Sequence, residues 1–578
     1  MNADFLLRHF DTLADTPDAV AKLRGLVLQL AVMGKLVPQD PRDEPASALL
    51  KKIAAEKARL VREGKIKRGE TLPPVDPEDA PFELPRGWEW VRLDQISQYI
   101  QRGKGPKYVE ESNIPVVSQK CIQWRGFDLT RARFIDESSL DGYAEERFLR
   151  PGDLLWNSTG TGTIGRINVL KDDVFSQFRR IVADSHVTVV RLINAYPEYV
   201  WIWIASPFIQ STIESDANGS TNQVELATQS VKNQVTPLPP LAEQHRIVAR
   251  VDQLMALLDQ LEQQREARRE TRLRLNASAL NELTTAPDAT AFHHAWGRIR
   301  DHFHRLYDHP QTVAQLRQAI LQLAVMGKLV PQDPHDEPAS VLLKKIAAEK
   351  ARLVREGKIK RGETLPPVDP EDAPFELPGG WEWVRLNALI ELHRDINYGI
   401  ILLGNEPPTD GIKTIRCSDV QYRRISLEKA RTVSKDISDK YSKTILRGGE
   451  ILMNIRGTLG GCGIVDQNMK GYNIAREVAL IPISAHAVTR YVLDVISSPY
   501  IQINTLLNLR GIAYKGLNLE ILRNFLIPLP PLAEQHRIVA RVDQLMALCD
   551  QLEAQLSQSR DHGQRLLEAV VGRLTEAA

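Results

Sequence analysis

The glycine-rich run Gly-Thr-Gly-Thr-Ile-Gly at residues 160–165 is the feature of this chain that most resembles a cofactor motif. Its G-x-G-x-x-G spacing matches dinucleotide sites, where the loop opens a helix whose N-terminus faces the pyrophosphate. Here residues 166–170 have the pattern of a strand, and the related run at residues 457–463 does not keep the spacing. We therefore predict a tight hairpin turn and no nucleotide site.

Other catalytic patterns are missing or incomplete. The chain has no G-x-x-x-x-G-K-[ST] loop, and Asn-Glu-Pro-Pro-Thr at residues 405–409 lacks the aromatic residue that completes amino-methyltransferase motifs. Five histidines between residues 293 and 309 lack the spacing of metal ligands, which favours a solvated helical face. We predict a chain that is not an enzyme and that binds no cofactor or metal of its own.

Side chains suited to reading DNA are frequent in two segments, residues 94–236 (the first insert) and residues 387–527 (the second insert). Arginine, lysine, asparagine and glutamine bind base edges and phosphates, and we expect those in turns to do so here. In the first insert the candidates are Arg102, Lys104, Lys107, Gln119, Lys120, Gln123, Arg125, Asn157, Arg166, Asn222 and Gln223. In the second insert they are Arg394, Asn397, Arg416, Arg423, Arg424, Asn454, Arg456 and Lys515.

Charge is distributed unevenly between these segments. The whole chain has 74 Lys+Arg against 73 Asp+Glu, a formal net charge of +1. The first insert has 15 basic and 17 acidic residues, whereas the second has 18 and 13. We expect the first insert alone to bind phosphate weakly, so that affinity depends on the second insert, the basic linkers or a partner subunit.

A long internal repeat holds the two inserts. Residues 23–93 reappear as 316–386 with six differences in 71 positions, and residues 237–262 reappear as 528–553 with one. A duplication without function would also produce repeats, but its sequence should diverge along the whole length and not only in two central inserts. The near-identical parts therefore indicate a shared frame, and the divergent inserts indicate separate tasks. Both inserts also contain a matching turn and strand, at residues 150–157 and 447–454, which predicts a common α+β or mostly β fold.

The frame reads as helices, a linker and one strand. Apolar spacing predicts helices ending near Gly34 and Gly64, then a stiff proline-rich linker over residues 65–85. The alternating Gly-Trp-Glu-Trp-Val at residues 87–91 predicts a strand. After each insert, Pro-Leu-Pro-Pro-Leu precedes apolar residues at spacings of four and three, the seam of a long helix. We expect the two long helices to pair as an antiparallel coiled coil that spaces the inserts.

These patterns together predict an α+β protein with a pseudo-twofold internal repeat. The expected regions are an N-terminal helical block and linker (1–83), a first DNA-reading domain (84–236), a central long helix (237–285), a connector with a second helical block (286–376), a second DNA-reading domain (377–527) and a C-terminal long helix (528–578). Four scattered cysteines without a Cys-x-x-Cys pair, no signal-peptide pattern and no apolar run of membrane length favour the cytoplasm.

The chain resembles the specificity (S) subunit of type I restriction-modification enzymes. The resemblance rests on Pro-Leu-Pro-Pro-Leu-Ala-Glu-Gln at residues 237–244 and 528–535, each followed by a leucine-rich helix. It is supported by Pro-x-Gly-Trp-x-Trp-Val at residues 85–91 and 378–384, and by the Gly-Asp-Leu-Leu and Gly-Glu-Ile-Leu turns.

The resemblance implies that each insert is a target recognition domain reading one half of a bipartite double-stranded DNA site. It implies that the helices set the gap and dock two adenine-N6 methyltransferase (M) subunits, with two motor-nuclease (R) subunits completing the enzyme. S-adenosylmethionine, ATP and magnesium would be used by those partners. Two alternatives stay open: a stand-alone fused enzyme, and a specificity-like scaffold that docks a different effector.

Overall fold

The computed structural model describes residues 16, 18–68, 72–76, 78, 80–124, 126–160, 162–216, 225–359, 368–407, 409–503 and 516–576. The chain divides into two compact units. Unit 1 comprises residues 1–268 and 559–578, and unit 2 comprises residues 269–558. Each unit contains one insert with its own copy of the frame.

Unit 1 begins with the frame helices α1 (Ala19–Val32) and α2 (Ala46–Arg62). Its strands are β1 (Glu89–Arg92), β2 (Ser97–Arg102), β3 (Tyr108–Val109), β4 (Pro115–Val117), β5 (Ile122–Gln123), β6 (Gly126–Phe127), β7 (Arg133–Ile135), β8 (Leu154–Asn157), β9 (Ile167–Val169), β10 (Val182–Ala183), β11 (Val187–Leu192) and β12 (Val235–Leu238). Helices α3 (Pro197–Ala205), α4 (Pro207–Asp216) and α5 (Thr228–Asn233) follow β11, and the long helix α6 (Leu241–Thr285) follows β12.

The first insert contains two four-stranded sheets. One is antiparallel, with strand order β2-β11-β8-β9, and the other has the order β10-β4-β7-β3 with one parallel pair. Strand β8 is buried along its whole length, as the alternation of Leu154, Leu155 and Trp156 between two apolar clusters requires. Strands β5 and β6 form a separate two-residue hairpin, called here the small hairpin of unit 1.

The frame closes around the first insert where the chain enters and leaves it. Strands β1 and β12 pair antiparallel, so both ends of the insert are joined in one short ladder. The indole Nε1 of Trp88 donates to Glu243 Oε2 at 3.0 Å, and burial raises the pKa of that carboxyl group. Gln244 accepts from the backbone N–H of Tyr196 at 2.9 Å and donates to the carbonyl of Pro239 at 2.9 Å. The Glu-Gln of the repeated motif therefore ties the long helix to the frame and to the insert.

Unit 2 has helices α7 (Ala289–Asp301) and α8 (Phe303–Leu306) before its frame helices α9 (Pro310–Val325) and α10 (Ala339–Arg355). Its strands are β13 (Glu382–Arg385), β14 (Asn397–Tyr398), β15 (Ile412–Ile415), β16 (Val420–Gln421), β17 (Arg424–Ile425), β18 (Arg431–Val433), β19 (Ile451–Asn454), β20 (Cys462–Ile464), β21 (Asn473–Ile474), β22 (Val478–Ile481) and β23 (Leu526–Leu529). Helices α11 (Lys435–Lys440), α12 (Thr489–Ser497) and α13 (Leu519–Arg523) lie in the insert, and the long helix α14 (Leu532–Glu576) ends the described chain.

The second insert repeats the plan of the first. Its antiparallel sheet has the order β14-β22-β19-β20, its smaller sheet the order β18-β15-β21, and β16 and β17 form the small hairpin of unit 2. Strands β13 and β23 close the insert in the same register as β1 and β12. Trp381 donates to Glu534 at 3.0 Å, and Gln535 contacts the N–H of Val488 and the carbonyl of Pro530. The predicted common fold of the inserts is confirmed.

The predicted frame elements are present. Helices α1 and α2 end at Val32 and Arg62, close to the glycines predicted to stop them. The described linker residues 72–76 and 80–85 form no helix or strand, and the rest of the linker lies partly outside the described residues. Helices α6 and α14 are each 45 residues long.

The first seam residues of α6 pack against other elements of unit 1. Ile247 and Val251 pack into the main apolar core of unit 1, and Leu258 packs with Leu23 of α1 in a second cluster. Arg24 of α1 reinforces this contact with an ion pair to Asp259 at 2.5 Å. The predicted pairing of α6 with α14 stays a prediction. Among the described residues, no helix is both long and apolar enough to cross a membrane.

Candidate nucleic-acid interface

The glycine run at residues 160–165 is a turn between antiparallel strands. Strands β8 and β9 pair with each other on either side of it. Gly160, Gly162 and Gly165 have φ of +100°, +79° and +85°, a conformation that residues with a Cβ adopt at a cost. A strand, not a helix, follows the run. The predicted hairpin turn is confirmed, and the local geometry lacks the helix N-terminus that a dinucleotide site needs.

Asn157 and Asn454 were predicted to read DNA, and the structure contradicts this. Both are fully buried at the ends of β8 and β19. Asn157 donates to the carbonyls of Gln119 and Thr163 at 3.0 and 3.1 Å, and Asn454 donates to the carbonyls of three residues at 2.9–3.0 Å. Asn157 therefore fastens the segment before the small hairpin to the glycine-rich turn, Asn454 fastens the small hairpin itself, and neither amide is available to a base.

Arg394 and Arg423 also differ from the prediction, because both side chains are buried in ion pairs. Arg394 is 7% exposed and donates to Glu450 at 2.7 Å. Arg423, at the tip of the small hairpin of unit 2, is 10% exposed and pairs with Asp494 of α12. Burial raises the pKa of Asp494 to about 6, although the adjacent guanidinium lowers it. These arginines neutralise buried carboxylates and do not face solvent.

Several other predicted residues lie at the surface with partners of their own. Lys107 pairs with Asp136, which raises the pKa of the lysine, and Lys104 contacts the carbonyl of Gly142 at 3.1 Å. Both lie beside the β10-β4-β7-β3 sheet. In unit 2, Asn397 donates to the carbonyl of Asp395 at 2.8 Å. These contacts leave part of each side chain accessible, and the assignment of these residues to DNA stays a prediction.

A second group gathers around the glycine-rich turn of unit 1. Arg166 donates to Gln123 Oε1 at 3.2 Å, and Gln123 donates to the carbonyl of Lys120 at 2.8 Å. Gln119 borders the same turn, since a Cβ at Gly160 would lie 3.1 Å from its side-chain oxygen. The structure thus brings Arg166 beside the segment 119–123, which lies more than 40 residues earlier in the sequence.

Three predicted cations are exposed and have no side-chain partner among the described residues: Lys120, Arg424 and Arg456. Lys120 precedes the small hairpin of unit 1, and Arg424 lies on the small hairpin of unit 2. Arg416 is less free, because it donates to the carbonyl of Lys429 at 2.7 Å. The predicted sites Arg125, Asn222, Gln223 and Lys515 lie outside the described residues.

Beside the glycine-rich turn, each unit has an antiparallel bridge two residues after its strand β8 or β19 ends. In unit 1 this bridge joins Thr159 to Glu225, and in unit 2 it joins Arg456 to Gly516. The bridge, together with the last residue of β2 or β14, is called here the strand-end corner. In unit 1, Glu225 also accepts an ion pair from Arg102, the last residue of β2, at 2.6 Å. In unit 2, the last residue of β14 is Tyr398, which is 48% exposed. The backbone is shared, while the side chains at the corner differ completely.

The aromatic residues at the tips of the small hairpins, Trp124 and Tyr422, are not among the predicted DNA contacts. Trp124 is 47% exposed, whereas Tyr422 contacts Gln318 of α9 and the carbonyl of Ser497 through its hydroxyl. An alignment of Gln-Trp-Arg at residues 123–125 with Gln-Tyr-Arg at residues 421–423 would have identified the hairpin as a shared element.

The histidine-rich segment agrees with the predicted solvated face. His293, His294, His302 and His304 are exposed, and His309 accepts from the N–H of Gln311 at the start of α9. Within the described ranges, no cluster of three histidine, cysteine or acidic side chains could hold a metal ion.

Comparison with known proteins places this architecture in a family. Residues 85–269 and 378–559 match the type I restriction modification DNA specificity domain. The chain belongs to this family. The matched ranges contain both inserts and the first part of each long helix, so the specificity domain occurs twice in one chain.

Relatives extend the similarity over almost the full length. The EcoAI and EcoEI type I restriction enzyme specificity subunits of Escherichia coli are each 34% identical to this chain, and each alignment covers 97% of this chain and 94% of the relative. Among solved structures, the HsdS subunit from Thermoanaerobacter tengcongensis is 20% identical, with a TM-score of 0.39 over 85% of this chain and 97% of that one. The specificity family agrees with the resemblance found in the motifs at residues 237–244 and 528–535.

Proposed function

We propose that each insert reads one half of a bipartite DNA site, and that the frame fixes the distance between the two halves. The observation that carries this proposal is the contrast at the strand-end corner. Identical closures by β1 with β12 and β13 with β23 hold inserts of the same fold, yet the exposed side chains beside the glycine-rich turns differ. A shared scaffold with different surface side chains is what reading two unlike half-sites requires.

The long helices are the proposed spacer. At 1.5 Å per residue, a straight helix of the length of α6 or α14 spans about 68 Å, on the order of two turns of B-DNA. The unit boundaries support this role, because residues 269–285 of α6 belong to unit 2 and residues 559–576 of α14 to unit 1. We propose that the two helices run antiparallel as a coiled coil.

Membership of the specificity family supports the proposed partners. The proposed complex contains two methyltransferase subunits docked on the repeated frame, and two motor-nuclease subunits. S-adenosylmethionine, ATP and magnesium act in those subunits, while this chain supplies DNA sequence recognition without a catalytic step. The uneven charge of the inserts fits such an assembly, since the acidic first insert gains phosphate contacts from its neighbours.

Exchange of one insert tests this function. The full chain, co-expressed with its cognate methyltransferase subunit, is compared with a chimera in which residues 94–236 come from another specificity subunit. N6-methyladenine mapping should show a bipartite wild-type site, and in the chimera one changed half, one unchanged half and the same gap. The matched control exchanges residues 387–527 and should change the other half. A chimera that alters both halves or neither contradicts modular reading.

A further inference from the structure

A cavity opens at the strand-end corner of unit 2. Its volume is about 750 Å³, and its lining combines an apolar wall with two arginines. The wall includes Tyr398 and Ile401, both more than 40% exposed, and the arginines are Arg456 and Arg476. Arginines that pair with guanine, and apolar or aromatic side chains that contact the thymine methyl group, are residue types that contact bases in DNA grooves.

Arg456 is held in place through its backbone and its aliphatic stem. It bridges Gly516 across an antiparallel pair, and its N–H donates to the carbonyl of Glu477 at 3.3 Å. A Cβ at Gly516 would lie 3.1 Å from Cγ and 3.3 Å from Nε of Arg456, so the stem packs closely over that glycine. Its guanidinium group has no partner among the described residues. The stem is therefore positioned in advance, and the guanidinium donors stay free within the described part of the chain, an arrangement that favours geometric recognition.

At the described positions of the equivalent corner in unit 1, no such fork is present. Thr159 occupies the position of Arg456, and Arg102 is engaged by Glu225 at 2.6 Å. A phosphate contact carries no sequence information and would serve both inserts equally well. An arginine present at this position in one insert and replaced by threonine in the other fits base reading better than backbone binding.

We propose that Arg456 is a specificity-determining residue that reads one guanine of the second half-site. Its guanidinium would donate two parallel hydrogen bonds to O6 and N7 of guanine in the major groove, the pairing that arginine makes most often with a base. Adenine is disfavoured because it presents a donor where guanine presents O6. Tyr398 and Ile401 pack against the neighbouring nucleotide. This assignment rests on the proposed function and names the chemistry of one position in it.

The test compares Arg456→Gln with Arg476→Gln. Both variants remove one positive charge from the same cavity, but Arg476 is partly neutralised by Glu477 at 3.7 Å, so Arg476→Gln should lower general DNA affinity less than Arg456→Gln. Each full-length variant is co-expressed with the methyltransferase subunit, and methylated sites are mapped and ranked by extent. For Arg456→Gln we expect the preference for one G·C pair in the second half-site to fall about 10- to 100-fold, with the first half-site unchanged. Arg476→Gln should keep every base preference.

Other results overturn the assignment. A wild-type second half-site without any G·C pair would do so directly. Uniformly weaker methylation by Arg456→Gln, with all base preferences intact, would make Arg456 a phosphate ligand. Because a folding defect could imitate that result, thermal unfolding and co-purification with the methyltransferase subunit are measured for both variants, and Arg456→Lys is mapped as a charge-conserving variant that should also relax the G·C pair. A wild-type site that is not bipartite would reject the proposed function. The role of Arg456 would even then be decided separately, by whether the preference for a single G·C pair falls in Arg456→Gln.

Discussion

Each insert neutralises a buried carboxylate with an arginine, but the arginine comes from a different part of the chain in each insert. Both have a buried carboxylate in the turn directly before one strand of the antiparallel sheet, Asp153 before β8 in unit 1 and Glu450 before β19 in unit 2. Asp153 accepts one backbone N–H of its own turn, from Arg150, and Glu450 accepts two, from Arg447 and Gly448. A buried charge of this kind requires a partner cation. The fold therefore demands an arginine, but it does not specify where in the sequence that arginine lies.

In unit 1 the arginine comes from a strand. Arg191 of β11 makes two hydrogen bonds to Asp153, at 2.7 and 2.6 Å, and it also donates to the carbonyls of Glu146 and Phe148. Burial still raises the pKa of Asp153, with Arg191 opposing that shift.

In unit 2 the arginine comes from a loop. Arg394 lies in the loop that precedes strand β14. Before this loop, Ile390 forms an antiparallel bridge to Ile483, shortly after the end of β22. It donates to Glu450 at 2.7 Å and to the carbonyl of Ile445 at 3.3 Å. An arginine in a loop of a DNA-binding domain is therefore not necessarily a DNA ligand.

Removing these arginines should give the largest effects. We expect Arg191→Met to lower the free energy of unfolding of unit 1 by about 3–5 kcal/mol, because it leaves a buried carboxylate unpaired. Arg394→Met should cost less in unit 2, since Glu450 keeps two backbone donors at 2.7 Å. Amide hydrogen exchange, followed separately in unit 1 and unit 2, measures the two losses of unfolding free energy. The exposed Arg131→Met is the control, and a loss below about 1 kcal/mol for Arg191→Met would contradict the comparison.

The buried asparagines should give intermediate effects. Asn454 shares its two amide N–H groups among three carbonyls, and Asn157 donates its two to two carbonyls, each N–H being worth about 1 kcal/mol. We therefore expect Asn454→Ala in unit 2 and Asn157→Ala in unit 1 each to cost about 2 kcal/mol, measured by the same exchange experiment. Asn397→Ala, which removes one local bond, should cost less than 1 kcal/mol. If Asn157→Ala instead altered base preference without a loss of stability, it would restore the original assignment of that residue to DNA.

Sequence predicted the frame well because its elements are specified by local chemistry. Helix-stopping glycines, the strand pattern at residues 87–91 and the seam after Pro-Leu-Pro-Pro-Leu each act over a few residues. The glycine-rich turn was predicted correctly for the same reason.

The site was predicted less well because burial depends on contacts between distant residues. Asn157 becomes a clamp only when Gln119 is brought beside it, and Arg394 becomes an ion-pair partner only beside Glu450. Residue type and turn position alone could not separate these from Arg456. A comparison of the two inserts with each other would have helped, since Asn157 and Asn454 are shared whereas Thr159 and Arg456 differ.

The exposed cations near the small hairpins should give the smallest effects, and they test whether the charge difference between the inserts matters. Lys120→Gln and Arg424→Gln each remove a cation without a side-chain partner among the described residues. If both contact phosphates, each variant should reduce the slope of log K against log salt by about 0.9 while base preference stays unchanged. Binding of the complex with the methyltransferase subunit to its mapped site is measured from low to physiological salt. Lys107→Gln is the control, since Asp136 already neutralises that lysine. A changed slope for Arg424→Gln alone would mean that the basic second insert holds the backbone, while the acidic first insert contributes mainly base reading.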